Sequence, residues 1–127
     1  MKFLAALVLA LPISSFAAGF AACDLYAFNY SSTNNVDYKP TNVERISNTW
    51  KKLEGEKVIL QDRVYPVSYL VEFNSNGFIT GSLGIKIDQP GPRVSGKTAL
   101  NNGLQLEVED TFNGVKVFYK LDCGLDS

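Results

Sequence analysis

Histidine is absent from this sequence of 127 residues. Its absence excludes the serine–histidine and cysteine–histidine pairs that activate many nucleophiles, and it excludes histidine metal sites and histidine pH switches. Net charge is also scarce, because 12 lysines and arginines stand against 13 aspartates and glutamates. A nucleic-acid partner bound through bulk positive charge is therefore not expected, and we predict neither a metal site nor a cofactor.

The composition also shows no bias toward a few residue types, so a disordered or repetitive chain is not expected. Hydrophobic residues make up 46% of the chain and charged residues 20%, as in an ordinary globular domain. Once a leader of roughly twenty residues is removed, about 105 residues remain, which is enough for one domain and too few for two. We therefore expect residues 23–127 to fold as a single β domain.

Residues 1–22 are predicted to be a secretory signal peptide. Lys2 precedes an apolar run over residues 3–12, and one positive charge before a short hydrophobic segment is typical of such leaders. Small residues before the cut favour cleavage after Ala17 or Ala21. The mature protein is then secreted or periplasmic. A retained leader would instead anchor the chain in a membrane, although its proline and serines weaken a spanning helix.

The two cysteines flank nearly the whole mature chain. An exported protein meets an oxidising environment, so we predict one disulfide between Cys23 and Cys123. The alternative is lipidation, because Phe20-Ala-Ala-Cys23 resembles a bacterial lipobox, with phenylalanine where an aliphatic residue is usual. A lipid anchor on Cys23 would leave Cys123 unpaired, and the even number of cysteines favours the disulfide.

From residue 56 onward, apolar and polar residues alternate between Asn-Gly and Pro-Gly turns, a pattern that predicts antiparallel strands. The predicted strands are 24–30, 56–61, 64–73, 78–87, 94–100, 104–111 and 115–123. The disulfide would hold the first strand near the last. We therefore expect a mainly β fold, an antiparallel meander closed or nearly closed into a barrel of about seven or eight strands.

Four turns set the expected pairing of these strands. Asn113-Gly114 places Val108 opposite Tyr119, Ser75–Gly77 places Tyr69 opposite Leu83, Asn101–Gly103 places Lys97 opposite Glu107, and Asp62-Arg63 places Leu60 opposite Tyr65. The last turn has no glycine. These registers turn one face inward, and its aromatic residues are predicted to be core: Tyr65, Tyr69, Phe73 and Tyr119.

Residues 42–54 are predicted to form one short helix. Thr41-x-x-Glu44 fits a capping box, Gly55 fits a helix stop, and apolar residues recur at helical spacing: Val43, Ile46, Trp50 and Leu53. The alternative is that a strand begins near Asn48.

In that alternative, Trp50 is followed later in the chain by Phe73-x-x-x-Gly77-x-x-x-Gly81. This pattern resembles small bacterial META-type barrels and lipocalins over those few positions, and the Gly-Cys-Asn of the META pattern is missing. The lipocalin likeness implies a carrier with its ligand inside the barrel.

A phosphate-loop pattern, Gly91-Pro-Arg-Val-Ser-Gly96-Lys97-Thr98, matches letter for letter. That motif requires a helix directly after it, because the helix N-terminus and successive backbone amides hold the phosphates. Only residues 99 and 100 separate it from the next turn, so no helix can develop. We interpret the match as chance and predict that Lys97 lies in a strand.

Outward aromatic residues are the candidate binding surface, and they are Phe78, Phe112 and Phe118. Tyr26, Phe28 and Tyr30 share one face of the first strand, but the pattern does not assign its direction. Aromatic residues outside a core are the usual anchors of a protein interface.

Three functional classes follow. The first is an exported binding module, acting as an inhibitor, adhesion part or envelope component on a protein or other macromolecule through outward aromatics and hairpin tips. The second is a lipocalin-like carrier of a small apolar ligand. The third, a small glycosidase using Glu107 and Glu109, lacks the chain length for a long cleft, so we expect no enzyme. Membrane contact requires a lipidated Cys23 or a retained leader.

Overall fold

The computed structural model describes residues 16, 19–30, 39–86 and 90–126, so most of the predicted signal peptide lies outside the description. The described residues form eight strands and no helix: β1 (Phe20–Tyr30), β2 (Pro40–Lys52), β3 (Lys57–Val64), β4 (Val67–Asn74), β5 (Phe78–Lys86), β6 (Pro90–Ala99), β7 (Leu104–Phe112) and β8 (Val115–Asp126). Across these residues, no helix is long and apolar enough to cross a membrane.

The strands form two antiparallel sheets. The first sheet has the order β2-β1-β8-β7 and the second the order β3-β4-β5-β6. Inward side chains of both sheets build one core between them, in which Leu25 and Leu121 of the first sheet and Phe73 and Leu83 of the second are fully buried. The mainly β, antiparallel prediction is confirmed, whereas the closed barrel is not: among the described strands, no ladder joins β2 to β3 or β6 to β7.

The first and last strands are direct neighbours, as predicted. Cys23 lies opposite Cys123 in the β1–β8 ladder, and a disulfide joins them across Cα atoms 4.1 Å apart. Both cysteines are buried. Because the Cys23 sulfur is bonded to Cys123, it is not free to form the thioether of a lipid anchor.

Two of the predicted hairpins are confirmed residue by residue. Val108 lies opposite Tyr119 in the β7–β8 ladder, and Tyr69 lies opposite Leu83 in the β4–β5 ladder. Their turns depend on glycines with positive φ, +80° at Gly114 and +112° at Gly77, a conformation that costs glycine nothing.

The predicted β3–β4 turn is wrong. Val64 lies opposite Val67 and Leu60 opposite Val71, so the turn is at Tyr65-Pro66, whose peptide bond is cis. A turn at Asp62-Arg63 would have placed Pro66 inside a strand, where it cannot donate a ladder hydrogen bond. Tyr65 is consequently 74% exposed rather than core, while the other predicted core aromatics, Tyr69, Phe73 and Tyr119, are buried.

The predicted β6–β7 hairpin is also wrong, because β6 pairs with β5 and the chain then crosses to the other sheet. Lys97 therefore does not lie opposite Glu107. The two strands meet through side-chain packing instead, and Gly96 makes room for it, since a Cβ there would lie 3.1 Å from Leu106 Cδ2. The Leu100 amide fixes the crossing by donating to the Gly77 carbonyl at 2.8 Å.

The predicted helix over residues 42–54 is wrong as well. Residues 40–52 are β2, which pairs with β1 along its length with two register shifts. Of the supposed apolar stripe, Ile46 and Leu53 pack on the core, whereas Val43 and Trp50 are 57% and 62% exposed, so the four residues do not form one buried face. The segment is also rich in threonine, asparagine and β-branched residues, which favour strands or turns over helices.

Reduction of the Cys23–Cys123 disulfide should lower the free energy of unfolding by about 4 to 5 kcal/mol, because the bond closes a loop of about a hundred residues in the unfolded chain. Urea denaturation of the oxidised and reduced protein measures this difference, and intact mass should rise by two hydrogens on reduction. A Cys23→Ser and Cys123→Ser double variant should match the reduced form. Equal midpoints for all three, or a diacylglycerol mass on Cys23, would contradict the assignment.

Candidate binding surface

The outer face of the first sheet carries a cluster of aromatic side chains, which we name the aromatic face: Tyr26, Phe28 and Tyr30 of β1 and Phe118 of β8. Successive side chains of a strand point to opposite sides. Since Cys23 and Leu25 face the core, the even-numbered residues of β1 must face outward. Phe28 lies opposite Phe118 in the ladder, which brings the two strands' aromatics together.

Three rings of the aromatic face, those of Phe28, Tyr30 and Phe118, contact one another directly. Phe28 stacks on Phe118 with centroids 5.8 Å apart. The Tyr30 ring meets both edge-on, at 5.3 Å from Phe28 and 4.6 Å from Phe118. Phe28 is only 5% exposed, yet it does not belong to the contiguous core between the sheets. Its burial therefore comes from side chains on the outside of the sandwich.

A groove of about 240 Å³, which we name the aromatic groove, opens beside these rings. Its lining comes from all four strands of the first sheet: Tyr26, Phe28, Tyr30, Pro40, Val43, Glu107, Lys120 and Asp122. Aromatic rings from β1 and apolar residues from β2 thus lie beside charged residues from β7 and β8. Such a site can take an apolar group into the groove and polar groups at its rim.

The charged side of the groove is organised around Glu107. The Tyr30 hydroxyl donates to Glu107 Oε2 at 3.4 Å, and Lys120 lies opposite Glu107 in the ladder. Partial burial raises the pKa of Tyr30, and the Glu107 charge and this hydrogen bond raise it further. The phenol therefore stays protonated at neutral pH and can act as a donor.

The two carboxylates of the glycosidase hypothesis have different partners. Glu107 accepts from Tyr30, whereas Glu109 forms an ion pair with Lys116 at 3.7 Å. Both lie on the outer face of an edge strand, where solvent reaches them. This arrangement gives the hypothesis no added support.

A second aromatic pair lies at the other end of the same outer face. Phe20 and Trp50 pack edge to face with centroids 5.4 Å apart. Asp24 lies between this pair and the aromatic face, and it accepts from Arg45 at 3.3 Å and from Asn48 at 2.7 Å. The helix prediction placed Trp50 on a buried stripe, so its outward position was missed. Alternation along residues 20–30 indicates that the β1 aromatics share one face, and that face is the outer one because Cys23 is buried.

Two of the three residues of the predicted binding surface, Phe78 and Phe118, lie on different sheets. Phe118 belongs to the aromatic face. Phe78 is 43% exposed on the outer face of the second sheet, with Lys97 Nζ 4.5 Å from its ring centroid. Phe112 ends β7 opposite Val115, and its side chain lies outside the described part of the chain. Phe78 and Phe118 therefore cannot form one continuous surface.

The phosphate-loop pattern is an extended strand. Gly91, Gly96, Lys97 and Thr98 all lie within β6, and Lys97 is opposite Thr80 of β5. The prediction that Lys97 is a strand residue is confirmed. Because alternate amides of a strand point in opposite directions, this segment does not form the cradle of successive amides that phosphate loops use.

Comparisons with models of protein families, with curated proteins and with solved structures find no match. The function must therefore be argued from the chemistry of the surfaces described above.

Substitution of Lys97 by alanine should lower the free energy of unfolding by at most about 1 kcal/mol, because an exposed cation over an aromatic ring contributes little. Thermal denaturation of wild type and Lys97→Ala measures this cost. Calorimetric titration with ATP and magnesium should give the same result for both proteins, because Lys97 is not expected to be a phosphate ligand. Micromolar binding that Lys97→Ala abolishes would mean that the phosphate-loop interpretation is right.

Proposed function

We propose that this chain is an exported binding module that holds another macromolecule against the aromatic face of its first sheet. The observation that carries the proposal is the aromatic groove on the outside of the sandwich. Four aromatic rings at outward positions are not needed to fill the core between the sheets. A surface that keeps such rings together beside charged groups has the composition of an interface, with aromatic anchors inside a polar rim.

Tight packing of the interior favours an outer site over the lipocalin-like carrier. A Cβ added at Gly81 would lie 2.8 Å from Leu104 Cδ2 and 3.0 Å from Val71 Cγ2. Inward side chains of β4 and β7 thus already touch the place beside Gly81 where even a methyl group would have to fit. A small apolar ligand inside this part of the core would have to displace them.

Export agrees with the disulfide, since such bonds persist mainly outside the cytoplasm. We further propose that the leader is cleaved after Ala17 rather than after Ala21. Ala21 is fully buried and pairs with Lys51 on one side and Leu125 on the other. The Gly19 carbonyl accepts from the Leu53 amide at 2.9 Å. A cut after Ala21 would remove these contacts.

The exported protein should therefore begin at Ala18. Intact-mass measurement of the protein recovered from the secreted or periplasmic fraction, with N-terminal sequencing, decides between the two sites. A chain that begins at Ala22 would contradict the proposal, because it lacks the first two residues of β1. Retention of the whole leader would contradict export with cleavage.

Capture of partners from the native extracellular or envelope fraction tests the binding proposal. Tyr26→Ala, in the aromatic groove, should weaken binding of the captured macromolecule at least about tenfold, as expected for an aromatic anchor worth about 1.4 kcal/mol or more. The matched control is Tyr65→Ala, the same substitution in the exposed β3–β4 turn of the second sheet, which should bind as wild type does.

A valine pair separates the groove from the hairpin tips. Val43, in the groove, and Val115, beside the β7–β8 turn, are both 57% exposed. Val43→Ser should weaken binding and Val115→Ser should not. Equal binding by all four variants would overturn the proposed site, and loss only with Val115→Ser would move the site to the hairpin tip.

A further inference from the structure

The outer face of the second sheet carries two arginines in one cross-strand row. The ladders place Arg63 opposite Ser68, Ser68 opposite Gly84, and Gly84 opposite Arg93. Neighbouring strands lie about 4.8 Å apart, so three steps separate the arginine backbones by about 14 Å. Only Ser68 and Gly84 lie between them. Because these two residues are small, the long arginine side chains can extend toward each other over the sheet.

This row forms a shallow basin of about 580 Å³, which we name the arginine basin. Its lining includes both arginines, Ser68 and Ser82. Arg93 Nη1 donates to Ser82 Oγ at 3.3 Å, which positions the guanidinium beside a hydroxyl. The basin thus presents guanidinium and hydroxyl donors to the same space.

Gly84 is what lets the Arg93 guanidinium lie against the sheet. A Cβ at position 84 would lie 2.9 Å from Arg93 Cζ and 3.0 Å from its Nη2. An alanine there would have to push the end of this flexible side chain away, while the backbone of Gly84 needs no unusual conformation. The absence of a side chain at Gly84 therefore leaves room for the Arg93 guanidinium. Substitution of Gly84 by alanine would occupy this room without removing any charge.

Neither arginine of the basin forms an ion pair with a carboxylate in the part of the chain that the structure describes. Within the described residues, the ion pairs are Arg45–Asp24, Lys57–Glu72 and Lys116–Glu109, and none includes Arg63 or Arg93. Asp62 also lines the basin, but its carboxylate accepts from Ser47 Oγ at 2.6 Å and from the Arg63 backbone amide at 2.8 Å. Both of its oxygens thus accept hydrogen bonds from neutral groups of the protein rather than from an arginine side chain.

Glu72 is the one carboxylate at outward positions of the four strands of the second sheet, and it is paired with Lys57. Lys97 adds a further cation on the same face. The outward positions of these strands therefore carry more positive than negative charge, although the Asp62 carboxylate also lines the basin and the whole chain has a formal net charge of −1. The first sheet shows the opposite pattern around its groove, where Glu107 and Asp122 face Lys120.

We propose that the arginine basin binds a tetrahedral oxyanion, a phosphate or sulfate group, between Arg63 and Arg93. Guanidinium groups present pairs of N–H donors at the spacing of two oxyanion oxygens, and charge-assisted bonds of this kind are stronger than neutral ones. The Ser68 and Ser82 hydroxyls supply further donors at the floor. The group comes from a free anion or from the headgroup of an anionic lipid, and the site is separate from the aromatic groove.

The three arginines of the chain, Arg45, Arg63 and Arg93, make a direct test available. Their side-chain Nε–Hε signals in ¹⁵N spectra report on each guanidinium, and Arg45 on the first sheet is an internal control. Titration with inorganic phosphate and with sulfate, at constant ionic strength set with chloride, should shift the Arg63 and Arg93 signals along one saturating curve. The Arg45 signal should not follow that curve. Equal, unsaturated shifts of all three signals would overturn the proposal.

Variants separate a built site from general positive charge. Arg63→Gln and Arg93→Gln should each weaken phosphate binding at least tenfold, whereas Arg45→Gln, with the same change of charge, should leave it unchanged. Gly84→Ala keeps every charge but displaces the Arg93 guanidinium, and it should also weaken binding. If Arg45→Gln has the same effect as the basin variants, or if Gly84→Ala binds as wild type does while its fold is intact, the basin is not a site.

Cosedimentation with lipid vesicles identifies the source of the oxyanion. Phosphatidylglycerol vesicles that retain the wild type but not Arg63→Gln, with no retention by phosphatidylcholine vesicles, would assign a lipid headgroup. Saturable binding of free phosphate without vesicle retention would assign a free anion. Absence of both kinds of binding would overturn the proposal, and it would leave the aromatic groove untouched.

Discussion

The pairing of β1 with β8, held by the Cys23–Cys123 disulfide, is the constraint on which the rest of the structure depends. It places the N-terminal strand in the middle of the first sheet, between β2 and β8. A central strand buries one face and presents the other, so the same pairing that sends Leu25 into the core sends Tyr26 and Phe28 outward. It also brings Phe118 against Phe28 from nearly a hundred residues away. The aromatic groove is therefore a consequence of how the chain ends are joined.

A domain this small fills the space between its sheets with side chains, and both of the binding sites that we propose are therefore on the outer faces. The two faces differ in character. The first sheet combines aromatic rings with carboxylates and Lys120, and the second combines arginines with serine hydroxyls. One face is suited to apolar anchors and the other to an anionic group.

Local turn chemistry explains which parts of the fold were predictable. Gly77 and Gly114 adopt conformations that glycine favours, and the hairpins around them have the predicted registers. The β3–β4 turn was mispredicted because the alternation of apolar residues fits a turn at Asp62-Arg63 and a turn at Tyr65-Pro66 equally well. Pro66, which cannot donate a ladder hydrogen bond, is the residue that favours the second turn. The crossing after Ala99 could not be read locally, because Asn101–Gly103 has the composition of a hairpin loop although β6 pairs with β5 and β7 belongs to the other sheet.

The candidate sites were predictable to different degrees. The outward position of Phe118 was predictable because the β7–β8 register fixes which of its neighbours face the core. The direction of the β1 aromatics was not predictable until Cys23 was known to face the core. The row from Arg63 to Arg93 was out of reach, since the predicted turn would have placed Arg63 in a loop, away from Ser68. Helical spacing of Val43 and Trp50 was coincidental, because both are exposed on an edge strand.

The central claim is that β1 joins β8 while the ladder stays open between β6 and β7. Cross-strand Hα–Hα nuclear Overhauser effects test it most directly. Such protons approach closely in the non-hydrogen-bonded pairs of an antiparallel ladder, whose Cα atoms are closer than those of the hydrogen-bonded pairs. The account predicts strong effects between Cys23 and Cys123 and between Leu25 and Leu121, with no ladder contact between Lys97 and Glu107. Ladder contacts between Lys97 and Glu107, or none between β1 and β8, would contradict it.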